Sequence, residues 1–245
     1  MSPRITWALS TRILRQLRRD HRTVALLLVL PCALTALLWW AFADITGVFA
    51  RLGGPLLAVF PFIVMFLVTS VTTLSERTSG TLERLLAMPM GQLDFLLGYA
   101  LAFGAAAVLQ AALAVGLAVY VLSLHVAGSV LTLGLVAVAD ALLGTALGLL
   151  VSAFARTEFQ AVQFMPAVVI PQLLLCGLFL PRAALPSTLH GISDVLPLSY
   201  AVDAMHVVTQ HAGWSADLTT DLLVVAAWAL GGLCLGAATL PRRTA

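Results

Sequence analysis

The sequence predicts an all-α integral membrane protein with six transmembrane helices, on three observations. The chain is 61% hydrophobic and only 10% charged, where a soluble domain is about a quarter charged. Apolar runs of roughly 20 residues, the length that crosses a bilayer as a helix, recur from end to end. The charges collect in short segments between those runs. The whole chain, 1–245, reads as one transmembrane domain rather than several units.

The first element, within 1–22, is RITWALSTRILRQLRRD. At helical period, Ile5, Trp7, Leu9, Ile13, Leu14 and Leu17 fill one arc, and Arg4, Arg12, Arg15, Arg18 and Arg19 fill the other. That separation predicts an amphipathic helix in the membrane interface, with Trp7 at the boundary and the arginines toward anionic headgroups. Six spans follow, over about 23–43, 55–74, 95–122, 130–154, 160–180 and 221–240.

Residues 75–94 cannot belong to a span. They carry Glu76, Arg77, Glu83, Arg84 and Asp94, and each charge costs about 2.5–3.5 kcal/mol at a bilayer centre. SERTSGTLERLLAMPM within them reads as a short helix with three sides. Glu76, Gly80 and Glu83 share one face; Arg77, Thr81 and Arg84 form the next; Leu82, Leu85 and Leu86 lie opposite the acids. Ser75 is expected to cap it, with Glu76 in the first turn, and Pro89 to end it. Gly80 leaves room for a partner's backbone. The pattern predicts a helix that rests its apolar side on the bundle and offers paired charges to a docking partner.

The segment before the last span, about 181–220, is long for a loop. Leu185, Leu189, Ile192 and Leu196 recur at helical spacing, and Pro181, Pro186 and Pro197 punctuate them. Short helices dipping into the outer leaflet are expected there.

Charge placement gives an orientation. Arg4, Arg12, Arg15, Arg18, Arg19 and Arg22 precede the first span; Arg77 and Arg84 follow the second, Arg156 the fourth, and Arg242 and Arg243 the sixth. Only Arg51 and Arg182 fall on the other side. The positive-inside rule then puts both termini and the 75–94 loop in the cytoplasm; the membrane is expected to be the inner (plasma) membrane of a bacterial cell.

Other features limit the chemistry. The chain has no lysine, so it cannot form a P-loop, whose lysine reaches the phosphates. If ATP drives it, the ATPase is another polypeptide. Cys32, Cys176 and Cys234 lie inside apolar runs and imply no disulfide framework. No cleavable signal peptide is evident. His125, His190, His206 and His211 show no metal-ligand spacing, so neither a metal nor another cofactor is expected on this chain. Nothing points to nucleic acid.

Asp140 sits mid-span, on one helix face with Gly144 and Gly148. Three roles are open: a buried polar contact in the bundle or a dimer interface, a residue on a substrate path, or a proton relay. An intramembrane protease of the rhomboid kind would need a G-x-S-G nucleophile and a histidine partner. Ser70 and Ser152 lack that glycine setting, and H-E-x-x-H is absent. A passive membrane scaffold is the remaining alternative.

ERTSGTLERLLAMP followed by an apolar span resembles the type-2 family of ABC exporter membrane subunits, which includes daunorubicin-resistance permeases and polysaccharide exporters. The resemblance extends over nearly the whole chain, including the outer GLFLPRAALPSTLHGISDVLPLSYAVDAM. It implies that the segment matching Glu76–Met88, with Glu76, Arg77, Gly80, Thr81, Glu83 and Arg84, is a coupling helix seated in a cleft of a cytoplasmic ATPase. It further implies two ATPase copies carrying ATP and Mg, a second permease as homodimer or paralogue, and export of a drug or other amphiphilic, lipid-like molecule. This chain itself would be no enzyme.

Overall fold

The computed structural model describes residues 3–78 and 92–238. Its elements are α1 (Pro3–Arg19), α2 (His21–Ala41), α3 (Val48–Thr78), α4 (Gln92–Gly116), which runs on into a π-helical turn (Leu117–Val121), α5 (Val130–Ser152), α6 (Glu158–Leu175), a 3-10 turn (Arg182–Ala184), α7 (Ser187–Ser193), α8 (Pro197–Gln210) and α9 (Ala216–Ala238). No strand occurs among the described residues. Six of these helices, α2 to α6 and α9, are long and apolar enough to cross a membrane. The six expected runs each appear, because a segment of that length and apolarity can satisfy its backbone in lipid only as a helix.

Local signals set the helix starts. Asp20 caps α2, its carboxylate accepting from the backbone N–H of Arg22 and of Thr23 at 3.2 Å. The Thr23 hydroxyl also donates to it, and these bonds hold the Asp20 carboxyl below the usual carboxylate range. Ser129 and Thr157 cap α5 and α6 in the same way.

α3 is the axle of the bundle, the most deeply buried of the six spans, while α2, α6 and α9 lie at its margin. Phe62 and Phe66 of α3 are fully buried among Ala137, Leu143 and Ala146 of α5 and Leu198, Val202 and Met205 of α8. A second cluster joins Val64, Met65 and Val68 of α3 to Tyr99 and Phe103 of α4 and to Leu9 and Ile13 of α1.

Two expectations change here. α3 continues as helix through Thr78, with the Thr78 hydroxyl donating to Leu74 O at 3.1 Å. Ser75 is therefore inside the last turns of a span and is not the cap of a new helix. The last span begins at Ala216, earlier than 221, because Ser215 Oγ accepts from Leu218 N and starts the helix there.

Candidate functional site

At one end of the bundle, α1 lies against α4. Gly98 of α4 makes this possible: a Cβ there would sit 2.7 Å from Leu9 Cδ2. Leu9 and Ile13, in the middle of the apolar arc, are buried in protein. Trp7, at the edge of that arc, is 68% exposed. The centre of the apolar face thus covers the bundle, and only its margin is exposed.

Glu76 is drawn into this junction. The residue is 4% exposed and faces Arg12, whose guanidinium nitrogen stands 3.9 Å from the carboxylate, with Gln16 beside the pair. Sequence periodicity put Glu76 on a water-facing acidic side shared with Glu83. The structure instead gives it to α1, since the helix that carries it is the end of α3. Gly80, Thr81, Glu83 and Arg84 lie outside the described residues, as does the side chain of Arg77. Arg15, Arg18 and Arg19 lie on the exposed side of α1.

Mid-bundle, Asp140 is 0% exposed, and neither carboxylate oxygen accepts a hydrogen bond among the described residues. Gly144 and Gly148, one and two turns on, press α5 against α3. A Cβ on either would stand 2.4 Å from the backbone oxygen of Phe62 or Phe66. The structure brings the three residues together in a seam inside the chain. A carboxylate that makes no bond has none to lose. Asp140→Asn is therefore expected to shift the unfolding free energy of the solubilised protein by less than about 1 kcal/mol. A thermal melt that fell by more would reveal a structural partner.

At the opposite end, beyond α6, Gly177 turns the chain at φ +92° and brings Arg182 back over the bundle. Arg182 Nε donates to Ser193 Oγ at 2.9 Å, and its two other nitrogens pair with Asp194 and Asp203. The Tyr200 ring lies 5.2 Å from the guanidinium carbon. Ser193 in turn donates to Leu175 O at 2.8 Å, and Tyr200 to Asp194 O at 2.7 Å. One arginine thereby ties the 3-10 turn, α7, α8 and the end of α6. Burial pushes the Asp203 carboxyl above its usual range, with Arg182 pulling the other way. Burial also lowers His206. The two short helices, α7 and α8, fill the stretch where they were expected, and α8 is largely buried between α3 and α9.

Sequence reasoning counted Arg182 only as a charge on the far side. The available signal was its isolation, between Pro181 and Pro186, in a chain with few charges. Arg182→Ala is expected to lower stability by roughly 2 kcal/mol, the loss of charged hydrogen bonds that are partly open to water. Arg182→Lys should recover only part, because a point charge cannot reach Ser193, Asp194 and Asp203 together. A thermal melt of both variants checks it; equal melts for Lys and wild type would contradict the forked geometry.

A family model described as ABC-2 type transporter matches residues 4–209. Among curated proteins, the chain is 28% identical over 163 residues to ABC transporter G family member 20 of Dictyostelium discoideum, a match covering 66% of this chain and 22% of that protein. It is 26% identical over 175 residues to "Probable multidrug ABC transporter permease YbhR" of Escherichia coli strain K12, covering 71% of this chain and 46% of that one. With the similarly named YbhS it shares 24% over 165 residues, 67% of this chain and 44% of the relative. The chain thus spans less than half the length of each of these relatives.

Proposed function

The chain belongs to the ABC-2 type transporter family, and from that premise we propose that it is the permease subunit of an ATP-driven exporter, powered by a separate cytoplasmic ATPase. It is a multi-pass membrane protein of that family. The carrying observation is the end of α3: Glu76 there is tied to Arg12 of α1, and in a chain 10% charged the sequence that follows it before α4 carries Glu83 and Arg84.

The mechanics follow from α3. A helix of 31 residues is about 46 Å long, enough to carry a displacement from the 79–91 segment across the bundle. Its far end meets α8, where a Cβ on Gly54 would stand 2.9 Å from Thr209 Cγ2. Movement at the ATPase end therefore reaches the helices held by Arg182. A pathway or proton-relay role for Asp140 requires the α3–α5 seam to part.

On this reading two ATPase copies hold ATP and Mg and dock on Glu83, Arg84 and their neighbours, with both termini of this chain cytoplasmic. A second permease, the same chain or a paralogue, completes the channel in a bacterial inner membrane. Walls this apolar suit a drug, lipid or other amphiphile better than an ion or a sugar, and the multidrug names of two relatives support that class. The test is co-purification of a P-loop ATPase with this chain, with ATP turnover measured with and without it. A chain that recruits no ATPase and leaves turnover unchanged contradicts the proposal.

A further inference from the structure

α1, α2 and α4 leave a groove between them at the Arg-rich end of the bundle. Its volume is about 350 Å³. Leu14 of α1, Val24 and Leu28 of α2 and Ala105 and Leu109 of α4 line it, and Arg18 stands at its rim. Gln110 Nε2 donates to Leu27 O at 2.9 Å and ties α4 to α2 beside the groove.

The rim is positive, and no ion pair neutralises it among the described residues. Arg15, Arg18, Arg19 and Arg22 take part in no ion pair among the described residues. Asp20, the nearest acid in sequence, is engaged by the first turn of α2. Arg15 and Arg19 turn to a separate recess shared with Arg12 and Gln16, so among the described residues Arg18 is the arginine that lines the groove.

We propose that this groove binds one anionic phospholipid from the adjoining leaflet, its acyl chain along Leu14, Leu28, Ala105 and Leu109 and its phosphate on Arg18. A neutral lipid would fill the apolar part and leave Arg18 without an anion. Free phosphate would meet Arg18 and leave the apolar walls uncovered. An anionic phospholipid meets both requirements, with acyl chain for the apolar walls of α1 and the two spans α2 and α4 and phosphate for the basic residue at the rim. The site lies on the outer flank of α1 and α2, away from the α3–α5 seam, so it holds a resident lipid and does not need transport to be filled.

The test uses the full chain in nanodiscs containing equal phosphatidylglycerol and phosphatidylcholine of the same acyl chains, extracted gently and weighed by native mass spectrometry. The wild-type chain should retain about one phosphatidylglycerol, favoured about fivefold over phosphatidylcholine. Arg18→Gln should abolish that preference, whereas Arg19→Gln, in the other recess, should keep it. Ala105→Phe places a ring in the groove and should remove retention of both lipids. Equal retention of the two lipids by the wild type overturns the proposal. So does an equal loss in Arg18→Gln and Arg19→Gln, which would mean diffuse surface charge. Displacement of the lipid by inorganic phosphate alone would remove the acyl chain's part. No arm uses an ATPase or cargo, so failure here leaves the proposed function standing, and the reverse holds too.

Discussion

Gly144→Ala combined with Gly148→Ala is expected to abolish recovery of folded protein. Each new Cβ would sit 2.4 Å from a backbone oxygen of α3, at Phe62 and at Phe66. A backbone oxygen inside a buried helix cannot swing aside as a side chain can. α5 must back away from α3 along two turns, and the core of Phe62, Phe66, Ala137 and Leu143 opens with it. Overpacking of this kind costs roughly 1–3 kcal/mol per site, or about 2–6 kcal/mol for the pair, a large share of the stability of a domain. Gly134→Ala is the control. It lies in the same helix with nothing within 4 Å of an added Cβ, and alanine there should stabilise α5 by up to about 1 kcal/mol. Size-exclusion profiles and melts of the solubilised variants decide it. A double alanine variant that behaves as wild type would show that α3 and α5 do not pack as described.

Glu76→Arg is expected to damage the bundle itself, before any partner is involved. The change sets a second guanidinium against Arg12 in a junction where Glu76 is almost wholly covered. Breaking a buried pair costs about 3–5 kcal/mol; Arg12 is partly open to water, so roughly 2–3 kcal/mol is the better expectation here. Arg12→Glu added to Glu76→Arg should restore part of the loss, since the charges are merely exchanged. The readout is again a melt of each single variant and of the pair. No rescue in the double variant, or no loss in Glu76→Arg, would separate Glu76 from α1.

These two cases show what the sequence could and could not reveal. The spans were legible because length and apolarity leave lipid-embedded backbone one solution. Gly144 and Gly148 were legible as a close-packing face, but periodicity names no partner; only the fold shows that it is the backbone of α3. Glu76 was misplaced for a similar reason. A helical wheel assigns sides within one helix and cannot see that residue 12, far off in sequence, will cover residue 76. Arg182 was the largest omission among the polar sites. Its partners at 193, 194, 200 and 203 meet it through a glycine turn at 177 and a proline-punctuated path, and no local pattern encodes that convergence.

The reassignment of Glu76 also sharpens the test of coupling. Charges that belong to the bundle must be left alone, and those proposed to meet the ATPase must be changed. The most direct measurement is therefore on Glu83→Arg with Arg84→Glu, which leaves the Arg12–Glu76 pair unchanged. Like charges brought face to face across a docking surface cost several kcal/mol. On the proposed reading this double variant inserts and melts as the wild type does, yet fails to retain the ATPase in a pull-down and loses ATP-driven efflux from the same membranes. Retained ATPase binding together with normal efflux would contradict it and leave the 79–91 segment as a solvated loop.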